Sequence, residues 1–192
     1  MKILMLIDSL GVGGAETHVC TLASELVKRG HLVYIGSCGG ELSTDCLRDG
    51  AHLLPLPKAT PMDNSRIFGG VQSLMTLLAT KHMIIKRLTR LRPDIVHAHT
   101  RRMAFLVSTP CKRLGIPLVT TAHALFSAKG IRAMLSRWGD STIAVSEDIA
   151  EHLVYRYALS QNKITVIPNG VAIPHKKTKN PTPKREWDRK SD

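Results

Sequence analysis

Residues 1–37 read MKILMLIDSLGVGGAETHVCTLASELVKRGHLVYIGS, and the order of patterns inside them decides the fold. KILMLID is a short apolar run, as expected of a strand covered on both faces. GVGGAE at residues 11–16 is a glycine-rich turn, residues 15–29 place apolar side chains at helical spacing, and LVYIGS returns to a strand. Strand, glycine turn, helix and strand together make a parallel βαβ unit. Glycines in such a turn let the backbone approach a phosphate, and the free amides at the start of the next helix favour an anion. The plainer reading of the motif is a tight turn and nothing more. A dinucleotide fingerprint would need a glycine where Glu16 stands and an acid where Ser37 and Cys38 stand, so nicotinamide binding is not indicated.

Outward from this unit the alternation continues. A short helix near residues 44–49 precedes the strand HLLPLP, a loop rich in Pro, Asp, Asn and Gly, and a long basic helix. DIVHAH, a helix over residues 102–114, PLVTTAH, the loop ALFSAKG and a short helix at residues 131–138 follow. STIAVS, a helix over residues 147–157 and ITVIPNGV complete the series, Asn169-Gly170 being a turn signal. The pattern predicts an α/β fold: a doubly wound, Rossmann-like, mostly parallel sheet of about seven strands with helices on both faces. Open parallel sheets bind ligands beyond the carboxyl ends of their strands. GVGGAE, HAHTRR, TTAH and AVSE all fall at such ends. Beyond residue 174 the composition becomes HKKTKNPTPKREWDRKSD, which reads as a basic linker or disordered tail over residues 175–192.

The chain has 192 residues, 43% of them hydrophobic, enough for one domain with a sizeable core. No apolar run reaches the roughly 18 residues a membrane span needs. Nothing like a cleavage site follows Met1–Ile7. A cytoplasmic protein is expected. Cys20, Cys38, Cys46 and Cys111 form no CxxC pair, so scattered free thiols are expected. Charge is uneven: residues 64–139 hold thirteen Lys/Arg against one acid, Asp94, while the rest holds fourteen of each, so the net +12 lies wholly in mid-chain. Such a stretch attracts an anion, whether lipid headgroup, phosphorylated substrate or nucleic acid. Nucleic acid is the weakest of these, because only 4% of residues are aromatic and no nucleic-acid motif is present. Leu74, Leu77, Leu78, Ile85, Leu88 and Leu91 recur at helical spacing, with Lys81, Lys86, Arg87 and Arg90 on other faces. This is either a core-facing helix with a solvated basic face or an element lying on the inner face of the plasma membrane. In the second case each cation contributes about 1 kcal/mol near an anionic leaflet, which gives peripheral rather than permanent attachment.

Taken in order, the opening 33 residues, RPDIVHAHTRR, VTTAH, DSTIAVSEDIAEHLV and ITVIPNGV resemble the amino-terminal domain of GT-B glycosyltransferases, specifically the large retaining family four. The resemblance covers about residues 1–174 and implies a transferase whose two Rossmann-like domains enclose a cleft, the first binding mainly the acceptor and the second the nucleotide-sugar. On this resemblance Gly13 and Gly14 face the donor diphosphate, and their amides stabilise the charge that grows as the nucleoside diphosphate leaves. No metal and no cofactor are implied, the nucleotide-sugar being a co-substrate. His123 matches the family's strand-end histidine, set beside the transferred sugar, where an imidazole can donate or accept near neutral pH. Many relatives place an acid or glycine after it, and here Ala124 stands instead.

Arg101 and Arg102, just past the HAHT strand end, are candidates to grip an anionic or hydroxyl-rich acceptor. Of the two histidines in that strand, His99 is expected to address the cleft, with His97 packed in the core on the sheet's other side. Glu16 reads as a helix-start carboxylate, and Ser146 as a cap before an acidic first turn. The implied acceptor is a saccharide or lipid-linked precursor of cell-envelope polysaccharide. Residues 175–192 cannot supply a nucleotide-sugar pocket, so the polypeptide alone is expected to lack efficient transferase activity unless a separately encoded half completes it. The other reading is a non-catalytic subunit that binds membranes or a partner through its basic face.

Overall fold

The computed structural model describes residues 1–58, 68–126 and 136–170. Seven strands form one sheet: β1 (Lys2–Leu6), β2 (Leu32–Ser37), β3 (His52–Pro55), β4 (Ile95–Ala98), β5 (Leu118–Ala122), β6 (Ser141–Ala144) and β7 (Ile164–Val166). Their order is β3-β2-β1-β4-β5-β6-β7. Every pairing among them is parallel, in registers such as Met5 with Ile35 on one side and with His97 on the other. Among the described residues the α-helices are α1 (Gly14–Lys28), α2 (Ser43–Arg48), α3 (Phe68–Leu91), α4 (Arg101–Leu114) and α5 (Glu147–Tyr157).

Successive strand residues point to opposite faces, and the core divides accordingly. Ile3, Met5 and Ile7 pack with Val19 and Ala23 of α1 and Cys46 of α2. Leu4 and Leu6 pack with Ile84 and Leu88 of α3 and Leu106 and Val107 of α4. A third cluster joins Ala122 and Ala144 to Ile149 and Leu153 of α5. The sheet is thus covered on both faces, as the alternating sequence predicts.

Local signals set the helix ends. Past the end of α1, the Gly30 and His31 amides donate to the carbonyls of Val27 and Leu26, with Gly30 at φ 79°, a conformation that glycine adopts without a Cβ penalty. Thr100 and Ser146 cap α4 and α5 by accepting from the amides of Met103 and Ile149, both at 3.3 Å. The reading of Ser146 as a cap is therefore correct.

Two expectations need correction. Cys20 and Cys46 are joined in a disulfide, because α1 packs beside α2 and brings their Cα atoms to 5.4 Å. Only Cys38 and Cys111 are free thiols. His97 and His99 do not face opposite sides either. Positions two apart along a strand share a face, and their ring centroids lie 4.0 Å apart. The loop expected over residues 59–67 and the tail over residues 175–192 lie outside the described residues. So does the helix expected over residues 131–138, except that residues 136–138 are described and irregular.

Candidate active site

The connections from β1 and β4, neighbours in the sheet, leave in opposite directions, β1 toward β2 and β4 toward β5. Between two such connections the carboxyl ends of the strands leave a crevice. Here the crevice is a cavity of about 600 Å³, lined in part by Asp8, Ala15, His99, Thr100, Arg101 and Arg102. Leu77, Phe105 and Phe126 add an apolar wall, and His123 stands beside His99.

His99 and His123, both expected at the site, meet. His99 Nδ1 and His123 Nε2 lie 3.3 Å apart, with the rings stacked at a centroid separation of 5.6 Å. His99 is almost wholly buried, 2% exposed. Burial pushes its pKa well below the ordinary histidine value, helped by neighbouring His97 and His123. The same cause pushes His123 down to about 4 and His97 down to about 3. His123 therefore does not titrate near neutral pH. It stays neutral, with one nitrogen that donates and one that accepts. His97 belongs to the packing, as expected, its Nε2 hydrogen-bonded to Thr121 Oγ1 at 2.7 Å.

Arg101 and Arg102 both line the cavity, and both are already engaged. Arg102 Nη1 donates to Asp8 Oδ1 at 2.8 Å, an ion pair between α4 and the end of β1. Arg101 Nη1 donates to Tyr157 Oη at 3.0 Å, and its guanidinium lies 4.7 Å from the Phe126 ring centroid. Phe126 is itself fixed, since His152 Nε2 hydrogen-bonds its carbonyl at 2.7 Å. The two guanidiniums are thus held in place at the cavity wall, one by charge and one by a ring.

Gly13 and Gly14 stand at the amino end of α1, next to cavity-lining Ala15. Nothing lies within 4 Å of where a Gly14 side chain would begin, so this backbone is open to a ligand. At Gly13 the same position meets the Glu16 carboxylate, which curls back over the helix start. A carboxylate there is favoured by the free amides and the dipole, by roughly 0.3–1 kcal/mol.

Two residues were missed. Asp8 ends the first apolar run, and nothing local in the sequence ties it to Arg102, 94 positions away. His18 lies one helical turn beyond Gly14, and that spacing, which puts it on the same side of α1, was the available signal. Its ring centroid is 5.1 Å from that of His123 and 5.7 Å from that of His99. A second cavity of about 490 Å³ along α5, lined by residues including Asp148, Glu151 and Tyr155, holds none of the expected site residues.

The sequence profile of the family described as Glycosyltransferase Family 4 matches residues 12–173. Among characterised proteins, a subunit of the human phosphatidylinositol N-acetylglucosaminyltransferase is 27% identical over 172 residues, covering 83% of this chain and 34% of that protein. Glycogen synthase of Mycobacterium tuberculosis is 26% identical over 204 residues, covering 89% of this chain and 48% of its own. Among solved structures, Anabaena Alr3699/HepE in complex with UDP-glucose superposes with a TM-score of 0.67 at 19% identity, covering 89% of this chain and 44% of that one. At that identity the likeness is one of fold. The chain spans between a third and a half of the length of these relatives.

Proposed function

The chain belongs to Glycosyltransferase Family 4, and from that premise we propose that it is the acceptor-side half of a sugar transferase. A sugar passes from a nucleotide-sugar to a saccharide or lipid-linked acceptor in cell-envelope or polysaccharide synthesis. The carrying observation is the cavity at the strand ends, where an apolar wall, two fixed guanidiniums and two neutral histidines converge. Leu77, Phe105 and Phe126 suit the apolar part of an amphiphilic acceptor, and Arg101 and Arg102 suit its phosphate or hydroxyls. His99 and His123, being neutral, hydrogen-bond sugar hydroxyls rather than act as charged acids. The donor diphosphate sits against the amides at Gly13 and Gly14, Glu16 swinging aside to admit it. Those amides stabilise the leaving diphosphate, so the transfer is assigned no metal. A second unit that binds the nucleotide completes the cleft.

The test is His123→Ala in the enzyme assembled with a nucleotide-sugar-binding half. A rate loss above about tenfold, roughly 1.4 kcal/mol of barrier, is expected. A loss below about threefold removes His123 from the site.

A second reading rests on α3. Leu74, Met75, Leu78 and Ile85 are exposed on the helix that also carries Lys81, Lys86, Arg87 and Arg90. This combination suits peripheral contact with an anionic membrane, and no helix among the described residues is long and apolar enough to cross one. The face serves equally a transferase acting on lipid-linked acceptors and a non-catalytic membrane- or partner-binding subunit. Co-expression with a nucleotide-sugar-binding half decides: transfer appears under the first reading and not under the second.

A further inference from the structure

We propose that His18, His99 and His123 form a binding site for one divalent d-block cation of the zinc type, with a fourth coordination position open to the cleft. The site shares His99 and His123 with the proposed sugar site, and its ion has no part in the transfer, which is assigned no metal. The fold assembles it from three separate elements: the first turns of α1 and the residues just past β4 and β5. One ligand atom from each of the three imidazoles lies within 4.8 Å of the others. His99 Nδ1 and His123 Nε2 are already 3.3 Å apart. A tetrahedral ion with metal–nitrogen bonds of about 2.0–2.1 Å has ligand atoms about 3.3 Å apart, so this pair forms one edge without moving. His18, half-buried on a helix, closes by up to about 1.5 Å to complete the face, within reach of a side-chain rotation.

The chemistry of the donors selects the ion. The triad is all imidazole, which suits zinc, copper or nickel and gives no hold on magnesium or calcium, which prefer oxygen. A neutral imidazole has the lone pair a metal requires. On binding the ion, the hydrogen bond between His99 Nδ1 and His123 Nε2 is given up, and each ring keeps its proton on its other nitrogen, His99 Nε2 or His123 Nδ1. His97, although its ring centroid lies 4.0 Å from that of His99, is not the fourth ligand, because its Nε2 is hydrogen-bonded to Thr121 Oγ1. A cation here takes the lone pairs that the proposed function gives to the sugar, so the two occupants exclude one another.

The test is a titration of the whole chain with Co²⁺, whose d–d absorption reports tetrahedral nitrogen coordination, followed by displacement with Zn²⁺. One equivalent is expected, with affinity reduced at least about 100-fold in His18→Gln and in His123→Gln. The controls His52→Gln and Cys38→Ser, outside the triad, should leave binding unchanged. In the unaltered protein, Co²⁺ should broaden the ring-proton resonances of His18, His99 and His123 and spare those of His31 and His82, an answer that needs no variant to fold. No stoichiometric binding, binding unchanged in both histidine variants, binding lost in the cysteine control, or broadening centred on other histidines each overturns the proposal. None of these readouts uses sugar transfer, so they stand or fall apart from the proposed function.

Discussion

Gly40→Ala is the substitution whose cost follows most directly from the structure. The loop after β2 braces the turn that carries Gly13 and Gly14: the Leu10 amide donates to the Gly39 carbonyl and the Leu42 amide to the Leu10 carbonyl, both at 2.9 Å. Gly40 lies against that turn at φ 151°, and an added Cβ would meet the Leu10 carbonyl group and come within 2.7 Å of the Gly11 nitrogen. These are main-chain atoms that a rotamer change cannot clear. A strained backbone conformation costs about 1–3 kcal/mol and forced overpacking about 1–3 kcal/mol more, so the expected loss is about 2–6 kcal/mol. With a urea slope of about 2 kcal/mol/M this moves the unfolding midpoint down by about 1–3 M. The matched control is Gly11→Ala, across the same contact, where nothing lies within 4 Å of the new methyl and stability should stay within about 0.5 kcal/mol. Urea denaturation followed by circular dichroism, disulfide intact, measures both. A loss below about 1 kcal/mol at Gly40, or an equal loss at Gly11, refutes the bracing argument.

Three further outcomes are expected. Asp8→Asn should lower stability by about 1–2 kcal/mol, between the values for exposed and buried pairs, because the partner Arg102 stays partly buried without its carboxylate; an unchanged urea midpoint would contradict this. Stability should fall as pH is lowered. Buried His97 and His99 have folded pKa values below the unfolded value of about 6.5, so their contribution is complete above that pH and is lost as pH drops toward the folded values. The slope is up to about 1.4 kcal/mol per pH unit for each histidine, and equal midpoints at pH 7.5 and 5 would exclude it. Reducing the disulfide between Cys20 and Cys46, 26 positions apart, should cost about 3.5 kcal/mol on the chain-entropy relation. Cys20→Ser should reproduce that loss and abolish the response to reductant; a stable, reductant-insensitive wild type would show the bridge to be without effect.

The elements of this fold were legible because each is written in its own stretch of chain. Apolar runs of strand length, helical spacing and local caps require no distant partner, and β4, β5 and α5 lie within or next to the segments that predict them. The location of the candidate site was legible for the same reason, since polar residues just past strand ends fall in the crevice of a parallel sheet. His99 and His123 were found that way, and they meet. The expected roles of the arginines were incomplete, because a guanidinium's partner is chosen by packing: Asp8 for Arg102, Phe126 and Tyr157 for Arg101.

By itself, then, the sequence determined which segments are strands and helices, that the sheet is parallel, and which strand ends carry the polar residues that line the cavity, all properties of residues within one turn or strand. Only the tertiary structure decided that β4 lies beside β1, and with that came the pairing of Asp8 with Arg102, the meeting of His18 with His99 and His123, the bridge from Cys20 to Cys46, and the neutrality of the buried histidines. Each of these depends on distance and desolvation between residues far apart in the chain, and neither quantity exists until the crossovers have placed the strands side by side.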